Sequence, residues 1–291
     1  MSLRTLLEAG EFVVTAEVGP LKGTKTDEIE EVAELLQGKV DAVNVTDQQS
    51  AVMRLGSLAT CHLLKERGHD PVFQLTCRDR NRLAMQSDLL SASVLGIENV
   101  LAITGDLPVL GDHPQTKPVY DLDSVQLLWA IQRLNDGYDI AGNELEGKPN
   151  FFPGAVVNPG SDTEASFELQ IIKMEKKIEA GARFFQTQAI FEVESFAKFM
   201  ERVEGFKVPI LAGIIPLKSA GMARFMNKNI SGISVPEELI DRMSKAEDRA
   251  QTGTEIAADT MKELKGMCQG VHIMAMGWES KIPAMLDAAG L

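Results

Sequence analysis

Residues 99–108, Asn-Val-Leu-Ala-Ile-Thr-Gly-Asp-Leu-Pro, decide how the rest of the chain reads. The apolar run 100–103 stops abruptly at Thr104-Gly105-Asp106-Leu107-Pro108. Such a run fits a parallel strand buried on both faces, and the Gly and Pro after it punctuate a turn at its C-terminal end. In folds that alternate strand and helix, that end is where ligands bind. An acid there, beside a glycine that lets a planar ligand approach the backbone, is a functional candidate. The same aspartate could equally cap the segment that follows, and the other strand ends decide between the two readings.

Outward from this stretch, β-rich runs at 12–18, 42–46, 72–77, 100–104, 155–158, 184–187, 210–215 and 272–276 alternate with helical patterns. Apolar spacings of three and four mark helices at 27–36, 58–67, 81–95, 124–134, 167–180, 193–203 and 236–264, with a last one at 282–289. The 236–264 pattern is long for one crossover helix and suggests a break around Gly253. Eight strands, each followed by helix, predict an α/β fold, a (β/α)8 TIM barrel forming one domain over residues 1–291. A doubly wound open sheet competes, but it usually carries a glycine-rich phosphate turn after its first strand. Here that strand ends in Glu17-Val18-Gly19-Pro20, and neither GxGxxG nor GxxxxGK[ST] occurs. Residues 105–118 form a long polar connection expected to lie over the barrel mouth, and 138–153 form another.

Composition narrows the classes. The formal net charge of −13 argues against nucleic acid or an anionic membrane surface as partner. No apolar run approaches the ~20 residues that span a bilayer, so no membrane insertion is expected. The first residues lack a signal-type apolar core, so the expected location is cytoplasmic. Cys61, Cys77 and Cys268 form no CxxC, which excludes a self-contained four-cysteine cluster or zinc ribbon. The four histidines (His62, His69, His113, His272) show no ligand spacing, and no metal is expected.

The strand ends carry a convergent polar set: Glu17; Asn44, Thr46, Asp47 and Gln48; Gln74, Thr76 and Arg78; Thr104 and Asp106; Asn158; Thr187 and Gln188; Lys218 and Ser219. In a barrel all of these face one mouth. Unpaired, each would cost about 1–3 kcal/mol, so a polar ligand explains the clustering better than packing does. Glu17 follows Val13-Val14-Thr15-Ala16, and partial desolvation would raise its pKa toward the range of a general acid. An ion pair with Arg78 or another base of the barrel is the alternative. With so few histidines, acid–base work is expected to fall to carboxylates.

The segments FVVTAEVGP, AVNVTD, FQLTC, ITGDLP, KKIEAGARFFQTQAIF and GIIP, in that order, resemble the methylenetetrahydrofolate reductase family from about residue 10 to 276. The resemblance implies a flavin-carrying barrel, with FAD favoured over FMN. The implied reaction reduces 5,10-methylenetetrahydrofolate to 5-methyltetrahydrofolate. By motif, Glu17 matches the family's general acid, and Asp106 matches the acid near both flavin and pterin. Gln188 matches a glutamine that contacts folate. Thr46, Gln74, Thr104, Gly105, Tyr120, Asn158 and Lys177 fall where the family lines its flavin site. Apart from the resemblance, Lys177 reads equally as a solvated lysine in the run 173–177.

Four departures stand out. The family's histidine before Leu-Thr-Cys is Gln74, and its Tyr-Pro-Glu-Val-His stretch is replaced by Val156-Val157-Asn158-Pro159. The aromatic residue expected after Gly-Ile-Ile-Pro falls near Ala220, and a folate-associated arginine corresponds to Trp278. The flavin and acid parts are thus kept better than those that handle pyridine nucleotide. The pattern is similar to short reductases of anaerobic bacteria that work beside a second subunit. The expected donor is NAD(P)H or an iron–sulfur partner of ferredoxin type, in a homo- or hetero-oligomer. The alternative is a flavin-free folate- or pterin-binding barrel acting in methyl transfer.

Overall fold

The computed structural model describes residues 1–161 and 163–291. In chain order the elements are α1 (Leu3–Glu8), β1 (Val13–Val18), α2 (Asp27–Leu36), β2 (Ala42–Val45), α3 (Ser57–Glu66), β3 (Pro71–Thr76) and α4 (Arg82–Val94). Then come β4 (Asn99–Ile103), α5 (Ser124–Asp136), β5 (Phe152–Val157), α6 (Glu164–Glu179), β6 (Phe184–Ala189) and α7 (Val193–Val203). The last are β7 (Ile210–Ile214), α8 (Ala220–Asn229), α9 (Glu237–Ser244), α10 (Arg249–Leu264), β8 (Gly270–Ile273) and α11 (Ile282–Ala289). All strands pair in parallel with their sequence neighbours, and β1 closes on β8. This is the expected (β/α)8 barrel.

Local chemistry sets most helix ends. Asp123 and Gln126 form a capping box at the start of α5, and Gly137 ends it in the left-handed conformation. Asn81 caps α4 through the N–H groups of Leu83 and Ala84. The 236–264 pattern does break into two helices, but after Ser244, where Asp248 caps α10. Gly253 lies inside α10, because a Cβ there would sit 2.1 Å from the Leu217 carbonyl oxygen. Its missing side chain serves close packing rather than a helix end.

The barrel interior is layered. At the N-terminal end Val13, Ala42, Val72, Leu101, Phe152, Phe184 and Leu211 form an apolar layer, sealed from below by Leu3 and Leu7 of α1. Phe152 stacks on Phe184 at 5.3 Å. Gly154 makes room for that ring, since a Cβ there would lie 2.3 Å from Phe184 Cζ. Above this floor the interior turns polar, with Thr15, Asn44, Gln74, Gln186 and His272 all buried. Among the described residues no helix is long and apolar enough to cross a membrane.

Candidate active site

The polar layer is a connected network. Asn44 and Gln186 exchange amide hydrogen bonds of 2.8 and 3.0 Å across the barrel. Gln186 Nε2 also donates to Thr15 Oγ1 at 3.4 Å, and Thr15 Oγ1 shares a hydrogen bond of 2.9 Å with His272 Nδ1. His272 Nε2 lies 3.6 Å from Glu17 Oε1. Gln74 Nε2 reaches the same carboxylate oxygen at 3.4 Å. The Glu17 side chain is 14% exposed, and its Oε2 takes no hydrogen bond from the described residues. One oxygen is clamped and the other is left for a ligand.

The alternative pairing of Glu17 is resolved here. Glu17 does not pair with Arg78, which makes a bidentate contact to Asp79 at 2.7 and 2.9 Å. The base of the barrel that does approach the acid is His272, through closure of β8 onto β1. His272, Thr15 and Gln186 were not singled out from sequence. The signal available was a polar residue at the centre of each otherwise apolar strand.

The turn after β4 is held from several sides. Gly105 adopts φ +89, and a Cβ there would meet Thr76 Cβ at 3.1 Å. Arg78 donates to the carbonyls of Asp106 and Gln48, and Tyr120 Oη donates to those of Gly105 and Asp106. Asp106 is exposed, and its Oδ2 accepts the Ser50 N–H at 3.1 Å. The 105–118 connection therefore rests on the loop after β2, where Gln48, Ser50 and Ala51 all have positive φ. Asp112 fastens the far end, accepting from Met53 N–H, His113 and Lys22, and these contacts hold its carboxyl well below the usual range.

On the same side of the mouth, Thr46 is 2% exposed and its Oγ1 has no hydrogen-bond partner. Leaving such a hydroxyl unpaired costs about 1–3 kcal/mol. Gly19 lies beside it, a Cβ there coming no nearer than 4.0 Å. Lys177 reaches from α6 to the Val156 carbonyl at 2.7 Å, and burial, reinforced by Lys173, lowers its pKa to about 8. It is not an ordinary solvated lysine. Thr104 stands exposed at the end of β4. Asn158 is committed elsewhere, donating to the Ser231 carbonyl and accepting the Gly160 N–H.

Gln188 owes its place to an irregularity. Between Gln186 and Ala189, β6 holds one residue more than β7, a bulge that re-aims the strand end. Thr187 Oγ1 fills the gap in the ladder, accepting the Gly213 N–H at 2.9 Å and donating to the Gln188 carbonyl at 2.7 Å. Gly213 allows this approach, since a Cβ there would lie 2.5 Å from the Thr187 carbonyl oxygen.

Fold and site together define a (β/α)8 barrel whose mouth joins a clamped carboxylate to an orphaned hydroxyl and a half-buried lysine. The family model described as methylenetetrahydrofolate reductase matches residues 2–290, and the chain belongs to that family. It is 30% identical to the 5,10-methylenetetrahydrofolate reductase of Salmonella typhimurium over 209 residues, 69% of this chain and 64% of that protein. It is 27% identical to the probable methylenetetrahydrofolate reductase (NADPH) of Caenorhabditis elegans over 232 residues, 77% of this chain and 33% of that protein. The chain thus spans about a third of the length of that relative. A Clostridium thermocellum protein that binds two copies of 5-methyl-5,6,7,8-tetrahydrofolic acid superposes with a TM-score of 0.66 at 17% identity, over 99% of this chain and 98% of that one. At that identity the likeness speaks for the fold alone.

Proposed function

We propose that the protein reduces 5,10-methylenetetrahydrofolate to 5-methyltetrahydrofolate with FAD as its flavin. The observation that carries this reading is the Glu17 carboxylate, held on one oxygen by His272 and Gln74 and open on the other, beside the unpartnered Thr46 hydroxyl. The residues of the β2–β6 side fit a flavin: Thr46 has a hydrogen bond to give, Gly105 brings backbone close, and Lys177 offers an ammonium to phosphate or ribityl oxygens. Thr104 and Tyr120 complete that wall as neighbouring groups. A reduced flavin held by these residues would supply the hydride.

The chain's own groups manage the proton and the charge. Glu17 protonates the bridging nitrogen of the folate, and the carbon–nitrogen bond breaks with its electron pair going to that nitrogen. The cationic N5 iminium so formed is the hydride acceptor, and the Asp106 carboxylate favours its positive charge. His272 and Gln74 fix the orientation of Glu17, and Gln188 binds the folate. We also infer that electrons arrive from a ferredoxin-type partner rather than directly from NAD(P)H. Ala220, 9% exposed, offers no ring on which a nicotinamide could stack.

Glu17→Gln tests the central assignment. The variant should keep its flavin and accept electrons from dithionite, yet lose at least about a thousandfold in folate-dependent reoxidation followed by flavin absorbance. Full folate turnover by the variant would overturn the role given to Glu17.

A further inference from the structure

We propose that Arg78 and Asp79 are positioning residues for Asp106, a charge-neutral clamp that fixes its turn and leaves its carboxylate uncompensated. The assignment rests on the role given to Asp106 above, that of favouring a cationic iminium at the mouth. Arg78 gathers three segments of chain. Its Nη1 donates to the Asp106 carbonyl and its Nη2 to the Gln48 carbonyl, each at 3.2 Å. Its own carbonyl accepts the Val119 N–H at 2.7 Å. One residue just past the end of β3 thus grips both ends of the 105–118 connection, together with the loop after β2. The fit is close, because a Cβ at Gly105 would lie 3.2 Å from Arg78 Cβ. The gripped loop holds Asp106 in turn: the Ser50 N–H meets Oδ2 at 3.1 Å, and Gly111 packs against the Ala51 carbonyl with no room for a Cβ. Gln48, Ser50 and Ala51 all have positive φ, a strained arrangement that persists where its surroundings over-determine it.

Holding this turn with a cation creates an electrostatic conflict. The Arg78 side chain is 3% exposed, so water screens its charge poorly, and the carbonyl it grips belongs to Asp106 itself. A bare guanidinium there would offset the negative charge that Asp106 presents to a cationic intermediate. Asp79 removes the conflict with a bidentate contact, Oδ1 accepting from Nε at 2.9 Å and Oδ2 from Nη2 at 2.7 Å. Two residues on, Arg80 is paired with Asp47 and Asp88. Both guanidinium groups beyond the end of β3 are thus neutralised, and neither quenches Asp106. Among the described residues Asp106 makes no ion pair, and its Oδ1 accepts no hydrogen bond. The backbone of the turn is therefore held by charge-assisted hydrogen bonds, while the carboxylate it carries keeps its full charge for a ligand.

A double-mutant cycle separates this role from simple support of the fold. The measurement is reoxidation of the dithionite-reduced, flavin-loaded protein by 5,10-methylenetetrahydrofolate, followed by stopped-flow absorbance over a range of folate concentrations. Asp79→Asn is nearly isosteric: it keeps the turn and uncovers the guanidinium charge. It should slow reoxidation at saturating folate about tenfold, while the half-saturating folate concentration changes less than about twofold. In an Asp106→Asn background the same substitution should cost less than about twofold, because no carboxylate remains to be quenched. Arg78→Met supplies a second arm. It should cost about as much as Asp106→Asn alone, and the two together little more than either. Equal slowing by Asp79→Asn with and without the Asp106 carboxylate would sink the clamp, as would an unchanged rate in Asp79→Asn. A wild-type rate in Asp106→Asn alone would instead refute the role given to Asp106, and the clamp would fall with it.

Discussion

Lys177 shows how much one side chain's setting matters. In sequence it is one of three lysines within 173–177, and nothing in the run separates it from its neighbours. On α6 it turns toward the end of β5, where its ammonium meets the Val156 carbonyl and burial lowers its pKa to about 8. Below that pH the side chain is cationic and can hold a flavin phosphate; above it the charge is lost. FAD affinity measured by fluorescence quenching should therefore be level up to about pH 8 and fall beyond it. Lys177→Met should bind about tenfold more weakly at pH 7 and lose that inflection. Coincident pH curves for the two proteins would remove Lys177 from the flavin site. His272 teaches the converse. Its role depends on a hydrogen bond to Thr15, 257 residues away, which no local pattern announces.

At the level of elements, the corner where β2, β3 and α4 meet is held by one buried carboxylate. The Asp47 side chain is fully buried, and its Oδ2 accepts from the Thr76 N–H and Oγ1, both at 2.9 Å, and from Arg80 at 2.7 Å. Arg80 in turn bonds Asp88 of α4 at 2.8 Å. Removing the carboxylate would strand two buried donors and leave a half-buried guanidinium with Asp88 alone as counter-ion. Asp47→Ala should cost about 3–5 kcal/mol in urea unfolding, and Asp47→Asn clearly less. A loss below about 1 kcal/mol for Asp47→Ala would show that the corner does not depend on this cluster.

Elements with a long apolar period were legible, α2, α7 and α11 to the residue. Helix α8 was not: Ala220-Gly221-Met222-Ala223 shows no clear apolar stripe, and the Ser219 cap together with burial of Ala223 and Met226 makes it a helix. The six-residue α1 is too short to show a period and forms because Leu3 and Leu7 close the barrel floor. The β6 bulge that re-aims Gln188 depends on Gly213 of the neighbouring strand.

For the whole molecule the open question is where electrons enter. Mixing the flavin-loaded protein with NADH or NADPH without air should leave the flavin oxidised over minutes, whereas a reduced ferredoxin-type donor should bleach it. Rapid bleaching by NADH alone would make a protein donor unnecessary. Chain order and the strand-end residues could be read from sequence because they follow from local periodicity, turn chemistry and the parallel-sheet rule. Glu17, Asp106, Thr46 and Gln188 were placed at the mouth on that basis. Which of these groups touch, and through what, belongs to the tertiary structure. Barrel closure brings β8 against β1, turning His272 onto Glu17, and it sets Lys218 beside Trp278 from separate loops. Such contacts join residues far apart in the chain, and only the closed ring of strands brings them together.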